Sequence, residues 1–178
     1  MNRFLNWAKR EFSLRRRLLV MIPAGVFFLG LMPYVLIMLL PKIDRLLQFP
    51  NLYFGVGNIL LASIFILLGG YYALWSIGVQ IFDASGTPLP FMPTQKLVVF
   101  GPFRQCRNPM TFGTICAYSG VGILIGSITA ILTVLILGSL LILYIRNIEE
   151  KELEARFGQA YVDYKATTPF TIPRFWEY

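Results

Sequence analysis

The chain contains no histidine, only two cysteines and few charged residues. Without histidine, it has no imidazole for acid–base catalysis, for a metal site or for a Ser-His-Asp triad. Cys106 and Cys116 form neither a CxxC pair nor a zinc-ligand spacing, and no disulfide is predicted. Charged residues make up 14% of the 178 residues, whereas a soluble domain has about 25%. The sequence therefore predicts no metal site and argues against a soluble enzyme.

Long apolar runs dominate what is present. Hydrophobic residues make up 56% of the chain, and four runs could cross a hydrocarbon core of about 30 Å as helices rising about 1.5 Å per residue. We predict an all-α, polytopic membrane protein of about four transmembrane helices, with an N-terminal interfacial helix and a C-terminal cytoplasmic helical tail. The predicted spans are 18–40, stopped by Pro41, then 52–82, 109–125 and 127–145.

We predict a single membrane domain over residues 1–178. Its predicted parts are a basic interfacial helix (1–17), two spans (18–82), a cytoplasmic loop with a cofactor motif (83–108), a helical hairpin (109–147) and a cytoplasmic tail that completes the cofactor site (148–178). The loop contains Ser85-Gly86-Thr87-Pro88-Leu89-Pro90. That density of glycine and proline excludes a helix and predicts an ordered loop or an extended arm.

The distribution of basic residues predicts that both termini are cytoplasmic. Of the sixteen Lys and Arg residues, only Lys42 and Arg45 lie in the first loop, and none lies in the hairpin bend at Gly126-Ser127. Cytoplasmic termini place all the others inside, as the positive-inside rule requires. Anionic lipid would attract these residues and so explains the net charge of +7. Nucleic acid is not a predicted partner, because the basic residues are spread over three segments beside span ends.

One polar cluster, residues 101–108, precedes the third predicted span. Pro109 suits the first helical position because its missing N–H is not needed there, and Asn108 then falls at the N-cap. The free amides and partial positive charge of a helix start suit a carboxylate or a phosphate. Gly101 permits backbone geometry or ligand approach that a side chain would block. The competing interpretation is an ordinary capped span with interfacial arginines.

A second polar cluster follows the fourth predicted span. Arg146, Glu149 and Glu150 are spaced three and four apart, so we expect them to share a helix face and to pair. Two adjacent carboxylates beside a span end are costly, which makes them functional candidates. A solvated, salt-bridged helix end is the alternative. If the hairpin brings its two ends together, Asn108 and the glutamates become neighbours and could hold an amine, a ribose or a sulfonium.

An ordered set of motifs covers about residues 86–174. The motifs are Gly101-Pro102-Phe103-Arg104, Arg107-Asn108-Pro109-Met110, Glu149-Glu150, Phe157-Gly158, Tyr161, Tyr164 and Ile172-Pro173-Arg174. The set resembles the isoprenylcysteine carboxyl methyltransferase and phospholipid methyltransferase superfamily. This resemblance implies an enzyme that moves a methyl group from S-adenosylmethionine to a lipophilic acceptor in a bacterial or archaeal inner membrane. It also implies that the C-terminal helical pair and tail hold the cofactor.

The resemblance assigns roles by position. The cofactor-binding residues would be Gly101, Arg107, Asn108, Pro109, Glu149, Glu150, Phe157, Tyr161 and Tyr164. The catalytic residues would be Arg146, Glu150 and Arg174, with the two arginines orienting an anionic acceptor. The two glutamates would also offset the sulfonium charge. Two positions depart from the family pattern. Asn108 stands in place of the usual His and cannot accept a proton, and Thr111 stands in place of a Tyr and removes an aromatic wall.

The acceptor is left open between a carboxylate, a phospholipid amine and a thiol. Methylating a carboxylate or a thiolate needs no general base, so the absence of histidine mildly favours an anionic acceptor. A non-enzymatic small membrane protein, such as a transporter subunit or an assembly partner, is the alternative function. The middles of the four predicted spans contain no charged residue, which argues against an ion or proton path.

Overall fold

A computed structural model describes residues 12–89 and 92–174. These residues form six helical stretches and no strand, which confirms the all-α fold class. The predicted interfacial helix falls largely outside the described residues. The stretches are α1 (Leu14–Leu46), α2 (Val56–Phe82), α3 (Pro102–Gln105), α4 (Pro109–Ile125), α5 (Ile128–Phe157) and α6 (Gln159–Thr167).

Three of these helices are long and apolar enough to cross a membrane: α1 with 33 residues, α2 with 27 and α5 with 30. The apolar helix α4 has 17 residues, which lies at the short end of the usual range of about 17–25. Large apolar side chains remain exposed on the long helices, as Leu29 (81% exposed) and Leu67 (72% exposed) illustrate. Water would disfavour such surfaces and lipid would not. The chain is therefore an integral membrane protein.

Helix α1 passes through three prolines without ending. The prediction that the first span stops at Pro41 is wrong, because the helix continues to Leu46. A wide turn with hydrogen bonds five residues apart, Val35–Leu39, precedes the α-helical segment Leu40–Leu46. Pro41 therefore lies in the first turn of a new segment, where its missing N–H breaks no hydrogen bond that the helix needs.

Helix α2 begins at Val56, four residues later than predicted. The side chain of Asn58 binds the residues just before the helix. Its Oδ1 accepts from the Phe54 N–H at 2.6 Å, and its Nδ2 donates to the carbonyls of Leu52 (2.8 Å) and Ile123 (2.6 Å). The Asn58 side chain thus binds the backbone of residues 52 and 54 in a non-helical conformation, and the carbonyl of Leu52 is not available to extend the helix.

The chain folds as two compact units. We call the first the motif unit, because it holds both polar clusters, and the second the apolar unit. The motif unit comprises the described residues within Met1–Pro23, Leu74–Met110 and Tyr144–Tyr178. The apolar unit comprises Ala24–Ala73 and Thr111–Leu143.

In the apolar unit, the backbones of α2 and α4 touch at a glycine. A Cβ added to Gly113 would lie 2.5 Å from the Gly69 carbonyl oxygen and 2.6 Å from the Ala73 nitrogen. Real Cβ atoms do not approach backbone atoms this closely, so only glycine fits at residue 113 without a shift of the helices. Small residues thus permit the close helix packing that is typical of membrane proteins.

Buried polar side chains in the apolar unit bind the start of α5. Asp44 is 8% exposed, and its carboxylate accepts from the Thr129 N–H at 2.9 Å and from the Ser127 hydroxyl. The Thr129 hydroxyl in turn donates to the Leu40 carbonyl at 2.8 Å. A carboxylate at a helix N-terminus pairs with free N–H groups and with the positive end of the helix dipole. Asp44 therefore caps α5.

In the motif unit, the segment between α2 and α3 is an ordered, non-helical loop over its described residues, as predicted. The Gln95 N–H donates to the Ala84 carbonyl at 2.8 Å and closes the loop. A Cβ at Gly86 would overlap the backbone of Thr94, so the loop packs tightly on itself. The Arg156 guanidinium donates to the Thr94 carbonyl and ties the loop to the end of α5.

Candidate active site

The first polar cluster turns at Gly101. We call residues 101–108 the motif loop. Gly101 has φ 60° and ψ −132°, a conformation that is essentially restricted to glycine. An added Cβ would also lie 3.5 Å from the Trp75 ring. The short helix α3 follows with Pro102 in its first turn. Glycine is therefore required here for its backbone conformation.

Cys106 lies in the motif loop and is fully buried. Burial raises the pKa of its thiol to about 12, and a backbone hydrogen bond with Asn108 acts weakly in the opposite direction. At neutral pH the sulfur is therefore protonated and a poor nucleophile.

The segment that follows α6, residues 168–174, is hydrogen bonded along the motif loop. We use the word tail for this segment alone from here on. The backbone bonds run from Arg107 N to Pro169 O (2.8 Å), from Asn108 N to Phe170 O (3.1 Å) and from Arg174 N to Gln105 O (3.0 Å). The side-chain amide of Asn108 donates to the same Phe170 carbonyl at 2.8 Å. Asn108 therefore holds the tail, and the conformation of the motif loop depends on residues more than sixty positions later in the chain.

Arg107 and Glu150 form a buried ion pair that joins the two polar clusters. The side chain of Arg107 is 10% exposed and that of Glu150 is 4% exposed. Arg107 Nε donates to the Thr168 carbonyl at 3.1 Å, and its guanidinium carbon lies 5.2 Å from the centre of the Phe170 ring. A buried ion pair is favourable only with such additional partners. Arg107 therefore links the second cluster to the tail.

Lys165 binds the other oxygen of Glu150. Its Nζ lies 3.0 Å from Glu150 Oε2 and 2.8 Å from Glu154 Oε1. These hydrogen bonds, to Glu154 first and then to Glu150, raise the pKa of the Lys165 ammonium. Glu154, Lys165, Glu150 and Arg107 thus form a row of alternating charge, which we call the charge chain. Both carboxylate oxygens of Glu150 are engaged by cations.

Two buried tyrosines of α6 support this arrangement. The Tyr161 hydroxyl lies 3.4 Å from Glu150 Oε1, and the Tyr164 hydroxyl donates to the Phe103 carbonyl at 2.6 Å. Burial is the main cause that raises the pKa of each phenol. Both hydroxyls therefore stay protonated at neutral pH and hold α6 against the motif loop and the end of α5.

A cavity of about 380 Å³ opens beside the charge chain. Its lining residues are Arg107, Arg146, Asn147, Glu150, Lys165 and Phe170. Three cations and one carboxylate give the lining a formal charge of +2, since Arg107, Arg146 and Lys165 outnumber Glu150 by two. Cavities of about 300–1,000 Å³ are typical of small-molecule sites. The cavity therefore suits a ligand that carries an anionic group.

The structure brings some of the predicted site residues to the cavity but not others. Arg107, Arg146 and Glu150 line the cavity, and the residues bonded to its lining are Asn108 and Tyr161. The remaining candidates are not among the lining residues: Gly101, Pro109, Glu149, Phe157, Tyr164 and Arg174. Of these, Pro109 is buried, Glu149 is half-buried, and Phe157 packs under the Arg156 guanidinium.

The prediction that Arg146 pairs with the adjacent glutamates is wrong for Glu150. Among the described residues, the ion pairs of Glu150 are with Arg107 and Lys165. The helix makes a wide turn over Ile145–Glu149, with hydrogen bonds five residues apart. A spacing of three or four residues no longer stacks side chains in such a turn. Arg146 is exposed and faces the cavity instead.

Three lining residues were not predicted from the sequence. Lys165 lies one turn after Tyr161 and so shares its helix face, a signal that could have identified it. Asn147 follows Arg146 directly, within the wide turn. Phe170 carries no recognisable signal, because its place depends on the bonds between the tail and the motif loop.

A family model described as "Phospholipid methyltransferase" matches residues 57–160, which is more than half of the chain. The matched region contains the motif loop and Glu150, and it ends before Lys165 and the tail. No curated protein and no solved structure matches the chain. The family match confirms the resemblance drawn from the motifs and implies a membrane methyltransferase. The chain belongs to the phospholipid methyltransferase family.

Proposed function

We propose that this protein transfers a methyl group from S-adenosylmethionine to a lipophilic acceptor, and that the cavity beside the charge chain holds the cofactor. Family membership supports the methyltransferase activity. The main supporting observation is that Arg107 and Glu150, one from each polar cluster, form an ion pair at a cavity of about 380 Å³, a volume typical of small-molecule sites. The acceptor is a carboxylate, a phospholipid amine or a thiol.

The residues around the cavity fit this cofactor in kind. Its amino-acid part carries a carboxylate, which the cations of the lining suit. Its ribose and amine need hydrogen-bonding groups, and Asn147 offers an amide that both donates and accepts. Its adenine is a flat ring, for which Phe170 offers an aromatic face. When bound, S-adenosylmethionine supplies a methyl group on a positively charged sulfur that is already activated for transfer.

Glu150 acts on the cofactor through Arg107 in this proposal. Since both of its oxygens are engaged, its main task is to hold the guanidinium in place beside the cavity. Tyr161 and Tyr164 position the helix that carries Lys165, and Asn108 positions the tail that carries Phe170. These side chains orient the ligand and exclude water, which is what transfer from an activated donor requires.

Arg146 is the candidate for orienting the acceptor. It is exposed, lines the cavity and follows directly on the apolar part of α5. A lipid headgroup lies at this level beside a span end, so an anionic group on the acceptor could reach the guanidinium. Arg174 is a second candidate in the tail. We propose that both termini, and with them this site, face the cytoplasm of a bacterial or archaeal cell.

Calorimetry with S-adenosylhomocysteine on the detergent-solubilised protein tests the proposal. We expect wild-type protein to bind and the variant Glu150→Ala to lose binding while it stays folded. Glu152→Ala is the matched control, since it removes a carboxylate outside the cavity lining. Absence of binding by the wild type at millimolar ligand would refute the proposal. A methyl-transfer assay with radiolabelled cofactor against fatty acids, phospholipids and thiols then identifies the acceptor.

A further inference from the structure

Lys165 stands at the cavity in an unusual setting. Its side chain is 38% exposed and lines the cavity, while its two carboxylate partners belong to the last two turns of α5. Surface lysines ordinarily keep a mobile ammonium, because one exposed ion pair does not hold a long side chain. Here two carboxylates, those of Glu150 and Glu154, bind the same ammonium. The charge is therefore fixed in position beside the cavity.

The geometry leaves Lys165 with hydrogen-bonding capacity. A lysine ammonium has three N–H donors and no acceptor. One donor goes to Glu150 Oε2 at 3.0 Å and one to Glu154 Oε1 at 2.8 Å. Among the described residues the ammonium has these two partners, so one donor is left on a group that lines the cavity.

We propose that Lys165 is an anion-binding residue of this site and donates its third N–H to a carboxylate or phosphate oxygen of the bound ligand. This inference rests on the proposed function for the identity of that ligand. Within the charge chain, Glu150 and Glu154 balance Arg107 and Lys165, and Arg146 gives the lining the positive charge that the anion meets. A charged donor held in place loses little freedom when it binds.

Two ligands could supply the anion, namely the amino-acid carboxylate of the cofactor and an anionic group on the acceptor. The charge chain favours the carboxylate of the cofactor, because Arg107 is held by the same Glu150 that holds Lys165. Together the two cations would bind the two oxygens of one carboxylate.

The test compares Lys165→Met, Lys165→Arg and the control Lys151→Met. Lys151 is exposed, lies in the same part of α5 as the charge chain and is not among the lining residues, so its loss changes the net charge equally. Calorimetry measures the affinity of each variant for S-adenosylhomocysteine and for an analogue of S-adenosylhomocysteine that lacks the amino-acid carboxylate. Steady-state kinetics measures the KM for a fatty acid acceptor.

If the anion is the carboxylate of the cofactor, Lys165→Met weakens S-adenosylhomocysteine binding about tenfold or more. The analogue then binds both proteins alike, and Lys165→Arg recovers most of the affinity. If the anion belongs to the acceptor, both affinities are unchanged while the KM rises to a similar extent. Either result supports the proposal.

The proposal is overturned if Lys165→Met behaves like Lys151→Met in every measurement. It is also overturned if Lys165→Met weakens binding of S-adenosylhomocysteine and of the analogue equally, since that pattern indicates a structural role only. A wild-type protein that does not bind S-adenosylhomocysteine refutes the proposed function instead. In that case both proteins are titrated with inorganic pyrophosphate. Weaker binding by Lys165→Met than by wild type supports an anion-binding role of Lys165, and equal binding overturns it.

Discussion

The two units bury polar side chains in different ways. In the apolar unit, Asp44 and Asn58 bind mainly backbone groups at helix ends. In the motif unit, Arg107, Glu150 and Lys165 bind one another beside a cavity. A side chain that caps a helix has its bonding capacity used by the fold. A charged group in a chain of pairs retains donors for a ligand. Buried polarity therefore stabilises helix ends in one unit and lines a cavity in the other.

Of the variants that test this comparison, one that removes Arg107 should lower stability and ligand binding most. Arg107→Met leaves Glu150 buried beside a single cation, and the loss of one partner of a buried pair costs about 3–5 kcal/mol. We expect a large fall in unfolding temperature and loss of S-adenosylhomocysteine binding. In the double variant with Glu150→Met, no lone charge remains, so stability should recover while binding stays lost. Recovery of binding in the double variant would contradict the role that we give to the pair.

A methyl group at Gly113 should have the next largest effect on stability, without touching the cavity. Gly113→Ala places a Cβ against the backbone of α2, and overpacking of this kind costs about 1–3 kcal/mol. Thermal unfolding in detergent measures the loss. Gly70→Ala is the control, because a Cβ there meets nothing within 4 Å. We expect the affinity of the folded Gly113→Ala protein for S-adenosylhomocysteine to match that of wild type.

Removing the cap of α5 should have a smaller effect on stability. Asp44→Ala leaves the Thr129 N–H without its carboxylate, at a cost of about 1–2 kcal/mol. Asp44→Asn keeps an acceptor oxygen for that N–H and should lose less. Both variants should bind S-adenosylhomocysteine as wild type does. If either variant lost ligand affinity without losing stability, Asp44 would have a role in binding, which would contradict its assignment as a helix cap only.

The smallest effect concerns the chemical reactivity of the Cys106 thiol. At pH 8, a thiol with a pKa of about 12 is ionised in roughly one molecule in ten thousand. In a Cys116→Ser background, we expect maleimide labelling of the native protein to be far slower than that of the unfolded chain. Its rate should rise with pH up to the pKa. Because the folded protein holds this proton more tightly than the unfolded chain does, the contribution of the thiol to the free energy of unfolding falls as pH rises from about 9 towards 12. Rapid labelling at pH 7 would contradict the buried setting.

The sequence predicted the helices better than their ends. Apolar length was enough for the bounds of α4, because proline and glycine at the ends have local effects. The start of α2 depends on Asn58 reaching Ile123, 65 positions away, and no local pattern contains that contact. The end of α1 was missed because the effect of Pro41 depends on the wide turn before it.

For the site, the sequence predicted the meeting of the two clusters but not the partners within it. Apolar length predicted a hairpin, and a hairpin brings residue 107 near residue 150. Which cations would bind Glu150 depended on the wide turn at Ile145–Glu149 and on the placement of α6. The sequence therefore predicted Arg146 as a partner of the glutamates from its helical spacing and did not identify Lys165.

The bonds between the motif loop and the tail affect the order in which this protein can become active. The spans lie within the first 157 residues, whereas Arg107 and Asn108 bind carbonyls of residues 168–170. During synthesis, the helices are available for insertion before the last partners of the site exist. A nascent chain that stops before residue 168 should sit in the bilayer without a finished pocket. If the cavity binds its ligand as we propose, binding should require that translation has passed residue 170.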